Sequence, residues 1–152
     1  MTDHSVMHST FSLERSYDAS TDLVFAAWAD SKAKARWFAG PAAEHGLDFR
    51  VGGREWVRGN QADGPTLILE SVYRDIVDGA RVVYSSTLSA GETLVTVSVT
   101  TVEFSPDGDG SRLLLTESAA FLDGHEQPSL RKQGTASWLD ALGAELKKES
   151  SA

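Results

Sequence analysis

The chain has 152 residues, 41% hydrophobic and 24% charged, a size and balance that suit one domain with a continuous core and exclude intrinsic disorder. Its formal net charge of -8 leaves nothing to gain from phosphate counterion release or from an anionic membrane surface, so neither nucleic acid nor membrane is expected as a partner. The absence of cysteine removes disulfides, zinc–thiolate sites, Fe–S clusters and thiol nucleophiles together.

Residues 1–10 are polar and lack the basic start and apolar run of a signal peptide. They read as a flexible leader before a single domain spanning 11–149, and His4 and His8 have no third ligand near them. No stretch approaches the roughly 18 apolar residues of a membrane-spanning helix, so a cytoplasmic protein is the default expectation. Phe11 to Tyr17 alternates apolar and polar, the pattern of a half-buried strand. Ser20 is positioned to cap a helix carrying Leu23, Val24, Ala27 and Trp28 at helical spacing. A second short helix, Lys32 to Arg36, leads into Trp37-Phe38 and stops at Gly40-Pro41. Strands follow: Leu47 to Val51, Arg54 to Arg58, Thr66 to Ile76, Arg81 to Ser86, Glu92 to Phe104 and Arg112 to Phe121. They are separated by Gly52-Gly53, Asp63-Gly64-Pro65, Asp78-Gly79, Ala90-Gly91 and Pro106 to Gly110. That last acidic loop lacks the further ligands and distal Glu of a calcium loop. From Pro128 to Lys148 the chain reads as one long helix, with Leu130, Gly134, Trp138, Leu142 and Leu146 near one stripe and two lysines at its end.

Without a strand–helix–strand repeat, the sheet is expected to be antiparallel. The predicted class is α+β: a seven-stranded curved sheet, two short helices, and a long C-terminal helix laid over one face. Seven strands are wider than one helix, so part of that face is expected to remain open as a cavity.

Several segments resemble a known family in the same order. Val24-Phe25-Ala26-Ala27-Trp28-Ala29-Asp30, Arg36-Trp37-Phe38-Ala39-Gly40-Pro41, Asp48 to Arg54, Asp63-Gly64, Arg81 to Tyr84, Gly110 to Glu117, and Gly134-Thr135 with Leu139 to Leu142 are similar to proteins homologous to the C-terminal domain of the Hsp90 ATPase activator. These belong to the START/Bet v 1-like superfamily. The resemblance covers nearly the whole chain after Thr10 and implies a helix-grip fold with a cavity between sheet and helix. Relatives in the superfamily bind lipids, sterols, polyketides or plant hormones, and a few catalyse cyclisation or hydrolysis; the fold does not choose among these. The eukaryotic activator makes its major client contact through a separate N-terminal domain that this sequence does not show, so a direct chaperone partner is not expected.

Glu55 and Glu117 are the candidate catalytic residues. Glu117 shares a strand face with Leu113 and Leu115, and Glu55 stands where many family members place an inward aromatic. A carboxyl in an apolar pocket has its ionised form disfavoured and can serve as acid or base. The competing reading is a rim or ion-pair role, with Arg54 and Arg58 as partners, and a bulge at Gly52-Gly53 would turn Trp56 inward in place of Glu55. Tyr84 and Trp138 are the preferred cavity-lining pair, each joining apolar area to a polar tip. Phe49, Trp56 and Phe104 complete the candidate ligand-binding aromatics. His45 and His125 lie near turns and read as solvated. No metal or cofactor is expected: there is no HExxH motif, no phosphate loop, and no Gly-x-Ser-x-Gly elbow.

The leading expectation is therefore binding of a small, mostly apolar molecule in the cavity. The alternatives are a metal-independent cyclase, hydrolase or isomerase using Glu55 and Glu117, and a co-chaperone-like interaction module. The enzyme requires both carboxyls on one enclosed pocket. Val95, Val97 and Val99 alternate with Thr96 and Ser98; with the hydroxyls turned inward, the valines would be available to pair two subunits as a homodimer.

Overall fold

A computed structural model describes residues 4–40, 43–60 and 64–150. The first three residues of the expected leader, Pro41 of the expected helix stop and Asp63 of the expected turn lie outside the described residues. The elements run β1 (Val6–Tyr17), α1 (Thr21–Ala29), α2 (Ser31–Lys34), a π-helical turn (Ala35–Ala39), β2 (Glu44–Leu47), β3 (Arg54–Gly59), β4 (Leu67–Val77), β5 (Arg81–Ala90), β6 (Thr93–Asp107), β7 (Gly110–Leu122) and α3 (Pro128–Ser150). The seven strands form one sheet in the order β1-β7-β6-β5-β4-β3-β2, each neighbouring pair antiparallel. Both short helices sit in the connection between the two edge strands, and α3 covers the inner face. This is the expected α+β helix-grip architecture.

Local chemistry fixes the helix starts. The Ser20 hydroxyl accepts from the Leu23 N–H at 3.3 Å, and Asp30 Oδ2 accepts from the Ala33 N–H at 2.9 Å. Pro128 occupies the first turn of α3, where a missing N–H costs nothing. The core gathers Val24, Trp28, Trp37, Tyr73, Phe104 and Leu115 with Leu139, Leu142 and Leu146 of α3. Burying each such aliphatic side chain contributes about 1.5–3 kcal/mol. The Tyr17 hydroxyl donates to the Leu139 carbonyl at 2.8 Å, tying the edge strand to the helix.

Two expected boundaries move. β1 starts at Val6, because residues 6–10 pair with β7 from Leu122 to Ser118; backbone pairing holds them although their side chains are mostly exposed. Residues 6–10 are therefore strand and not leader. Leu47 to Val51 is not a strand: β2 ends at Leu47, and the chain then turns, with the Arg50 and Gly53 N–H groups bonding to the Asp48 and Arg50 carbonyls. Gly52 adopts φ +85°, which a residue with a Cβ rarely does.

The hydroxyl side of β6 faces inward. Thr96, Ser98 and Thr100 are buried, while Val97 and Val99 are 42% and 51% exposed. Val95 breaks this pattern and is buried, because the register with β5 shifts at Ser89 and Leu94.

Candidate functional site

The helix grips only part of the sheet. From Leu139 onward α3 packs on the aromatic core, but its first half stands over strands β3–β5 and leaves a groove of about 320 Å³. The floor is a cross-strand row: Val57 pairs with Leu69, and Leu69 with Leu88. All three share the inward parity of Glu55, Tyr73 and Ser86. Opposite them Leu130, Gly134 and Trp138 form the helical wall, and Phe38 closes one end, its ring 4.5 Å from that of Trp138. Gly134 has open space where a Cβ would stand: apart from its chain neighbours and its own helix backbone, no atom lies within 4 Å.

The groove's charged groups belong to one cluster at its inner end. Arg131 bridges three acceptor groups. Its Nε lies 3.1 Å from Glu117 Oε2, its Nη1 donates to Glu126 Oε1 at 3.2 Å, and its Nη2 reaches Ser98 Oγ and Glu117 Oε1, both at 3.4 Å. Thr100 donates to Glu117 Oε1 at 3.1 Å, and Thr96 to Glu126 Oε1 at 2.8 Å. Glu117 is 5% exposed, so the expectation that it turns inward holds, but it meets a guanidinium there and not an apolar wall.

A second buried cluster surrounds Glu55. Its Oε1 accepts from Lys34 Nζ at 2.6 Å and from the Tyr73 hydroxyl at 2.5 Å, while His45 Nε2 lies 2.7 Å from Oε2. Lys34 also stands 4.6 Å and 4.7 Å from the ring centres of Trp28 and Phe38. Burial by itself would push the Glu55 carboxyl up. Lys34 and the hydrogen bonds from His45, Lys34 and Tyr73 outweigh it and hold the group down at about 2. Burial pulls the Lys34 ammonium below the ordinary lysine range against its pairing with Glu55. Three polar partners on one carboxylate favour its ionised form, and aromatic faces surround the Lys34 Nζ.

These positions correct several expectations. Glu55 is a fixed counter-ion and not a raised-pKa acid. Glu55 and Glu117 do not share a pocket: they stand on β3 and β7, four strand spacings or about 19 Å apart along the sheet. Arg54 and Arg58 pair with neither, because they occupy the opposite parity of β3 and point out. Trp56 also points out, 41% exposed, and lies across Gly46 of β2, where a Cβ would overlap the indole. It cannot line the cavity. Phe104 is core, edge-on to Phe25 and Trp28, and Phe49 packs on Phe25 and Tyr73; neither reaches the groove. Tyr84 lies deeper, against Trp28 and Tyr73, where burial foremost, then Glu117 and Glu55, drive its hydroxyl above the ordinary tyrosine range. Trp138 alone of the expected aromatics lines the groove. His45 is buried against Glu55 and not solvated. Lys34, Glu126 and Arg131 were not legible as site residues, since a charged side chain on a short helix or about a helix start normally faces water. Among the described residues, no group of three or more potential ligands could hold a metal ion, and no helix is long and apolar enough to cross a membrane.

Comparison with known proteins gives the family. The profile described as Activator of Hsp90 ATPase homolog 1-like protein matches residues 18–147. Among solved structures, Mll3558 from Rhizobium loti is 45% identical, with a TM-score of 0.88 over 93% of this chain and 99% of its own. An uncharacterised protein from Rhizobium leguminosarum is 38% identical, with a TM-score of 0.92 over 97% and 99%. CV1439 from Chromobacterium violaceum shares the fold at 23% identity, with a TM-score of 0.76 over 90% and 96%. No curated protein matches the chain at a significant level.

Proposed function

Because the chain belongs to the family of Activator of Hsp90 ATPase homolog 1-like proteins, which suggests a ligand-binding or activator-type domain, we propose that it binds a small, mostly apolar molecule in the groove between α3 and strands β3–β5. The observation that carries this reading is the uncovered aliphatic row Val57, Leu69 and Leu88 beneath a glycine of α3. Gly134 weakens a helix interior by up to about 1 kcal/mol relative to alanine, and no neighbouring atom requires it to lack a side chain. Its exposed position on the helical wall leaves the groove uncovered at that point. The aromatic wall of Trp138 and Phe38 supplies rigid apolar area at the end of the same groove.

An acid–base enzyme built on Glu55 and Glu117 needs both carboxyls on one reacting centre, and the two sit in separate ion pairs, Glu55 with Lys34 and Glu117 with Arg131. Simple binding fits the geometry better. The test uses the neutral fluorophore N-phenyl-1-naphthylamine. The wild-type chain should bind it saturably, and Gly134→Leu, which places a side chain in the groove while favouring the helix, should weaken binding by at least about tenfold. Equal binding by a folded Gly134→Leu variant would overturn the reading.

A further inference from the structure

The polar groups of the groove differ in what they can still offer a ligand, and the difference selects a head-group chemistry. This inference rests on the binding reading above. Arg131 is the groove's one cationic side chain among the described residues; its Nη1 and Nη2 bond to Glu126, Ser98 and Glu117, and its Nε, which makes no hydrogen bond, is buried 3.1 Å from Glu117 Oε2. It has little left for an incoming anion. Thr135 donates its hydroxyl to the Arg131 carbonyl at 3.0 Å, so only lone pairs remain toward the groove. Thr96 and Arg131 both donate to Oε1 of Glu126, and among the described residues none donates to Oε2. Glu126 is one-fifth exposed and lines the groove together with an adjoining depression bounded by Leu67, Leu88 and Pro65. Two carboxylates against one guanidinium leave the inner end with a net charge of -1, within a chain of net charge -8.

We propose that the groove takes an apolar molecule whose head group donates hydrogen bonds and is neutral or cationic, an alcohol or a protonated amine seated at Glu126 Oε2, and that it rejects the matching carboxylate. A donor head group completes the acceptor left open on Glu126. A carboxylate would face it with lone pairs against lone pairs and would have to displace Glu117 or Glu126 from Arg131, leaving a buried charge unpaired.

The experiment is displacement of N-phenyl-1-naphthylamine by three probes of equal chain length, octylamine, 1-octanol and octanoate, near neutral pH. Octylamine and 1-octanol should each displace the dye at concentrations at least about tenfold below octanoate. Glu126→Gln removes the charge and, with its amide oxygen held at the Oε1 place by Thr96 and Arg131, turns an NH2 donor toward the seat. It should weaken octylamine, which can only donate, by at least about tenfold, and 1-octanol, whose hydroxyl can also accept, by less. If the dye binds and octanoate displaces it as well as octylamine does, or if Glu126→Gln moves nothing, the head-group proposal is wrong and the binding reading survives. If the dye does not bind in the groove at all, the binding reading fails and takes this proposal with it.

Discussion

Glu55 holds its charge inside the protein because Lys34, His45 and Tyr73 surround it, and this has a consequence for acid stability. Its carboxyl lies near 4.5 in the unfolded chain and at about 2 in the folded one. A depressed folded value stabilises the protein at pH above about 4.5, and that contribution is lost as the pH falls toward about 2; its size is on the order of 3 kcal/mol. Urea unfolding of wild type across this window should show the loss, and Glu55→Gln should show a flatter pH dependence. At neutral pH Glu55→Gln should also cost about 3–5 kcal/mol, since it leaves the Lys34 ammonium buried without its counter-charge. A cost below about 1 kcal/mol would show that the pair is not buried as described. The inward direction of Glu117 was readable from strand parity, whereas at β3 the sequence left Glu55 and Trp56 as alternatives. The partners of the two glutamates were not readable, because Lys34, His45 and Arg131 come from other elements and only the fold brings them to the carboxylates.

Helix α3 shows where pattern reading slips. The expected stripe ran through Leu130, Gly134 and Trp138, yet the buried positions in this half are Arg131, Thr135 and Leu139. Apolar counting cannot find a face whose residues are polar because they meet Glu117 and Ser98 on the sheet. Beyond Leu139 the contacts are aliphatic and the expected Leu142 and Leu146 are buried. Two substitutions test this phase. Gly134→Ala should stabilise the protein by about 0.5–1 kcal/mol in thermal or urea unfolding, because its Cβ meets nothing. Destabilisation would mean that Gly134 is packed. Trp138→Ala should cost less than the roughly 3 kcal/mol minimum of a fully buried tryptophan, since the ring is only half-buried, and should weaken dye binding. A full core-sized loss with unchanged dye affinity would place Trp138 in the core instead of on the groove.

The molecule is a sheet of seven antiparallel strands with one covering helix, and that much follows from element order alone. The absence of βαβ repeats, the turn glycines and a single long terminal helix leave few other architectures. How much of the sheet–helix space stays open did not follow. Aromatic packing fills one end, the Arg131 cluster blocks the middle, and the floor under Gly134 remains free. The number of inward side chains was readable; their reach across the gap was not. That groove is the central feature of the account, and NMR titration with 1-octanol tests it most directly. Binding there should shift the backbone amides of Leu69, Leu88, Gly134 and Thr135 and the Trp138 indole N–H, saturating together, with Val97 and Val99 on the outer face unmoved. Shifts confined to the outer face, or none at the groove up to the solubility limit, would contradict it.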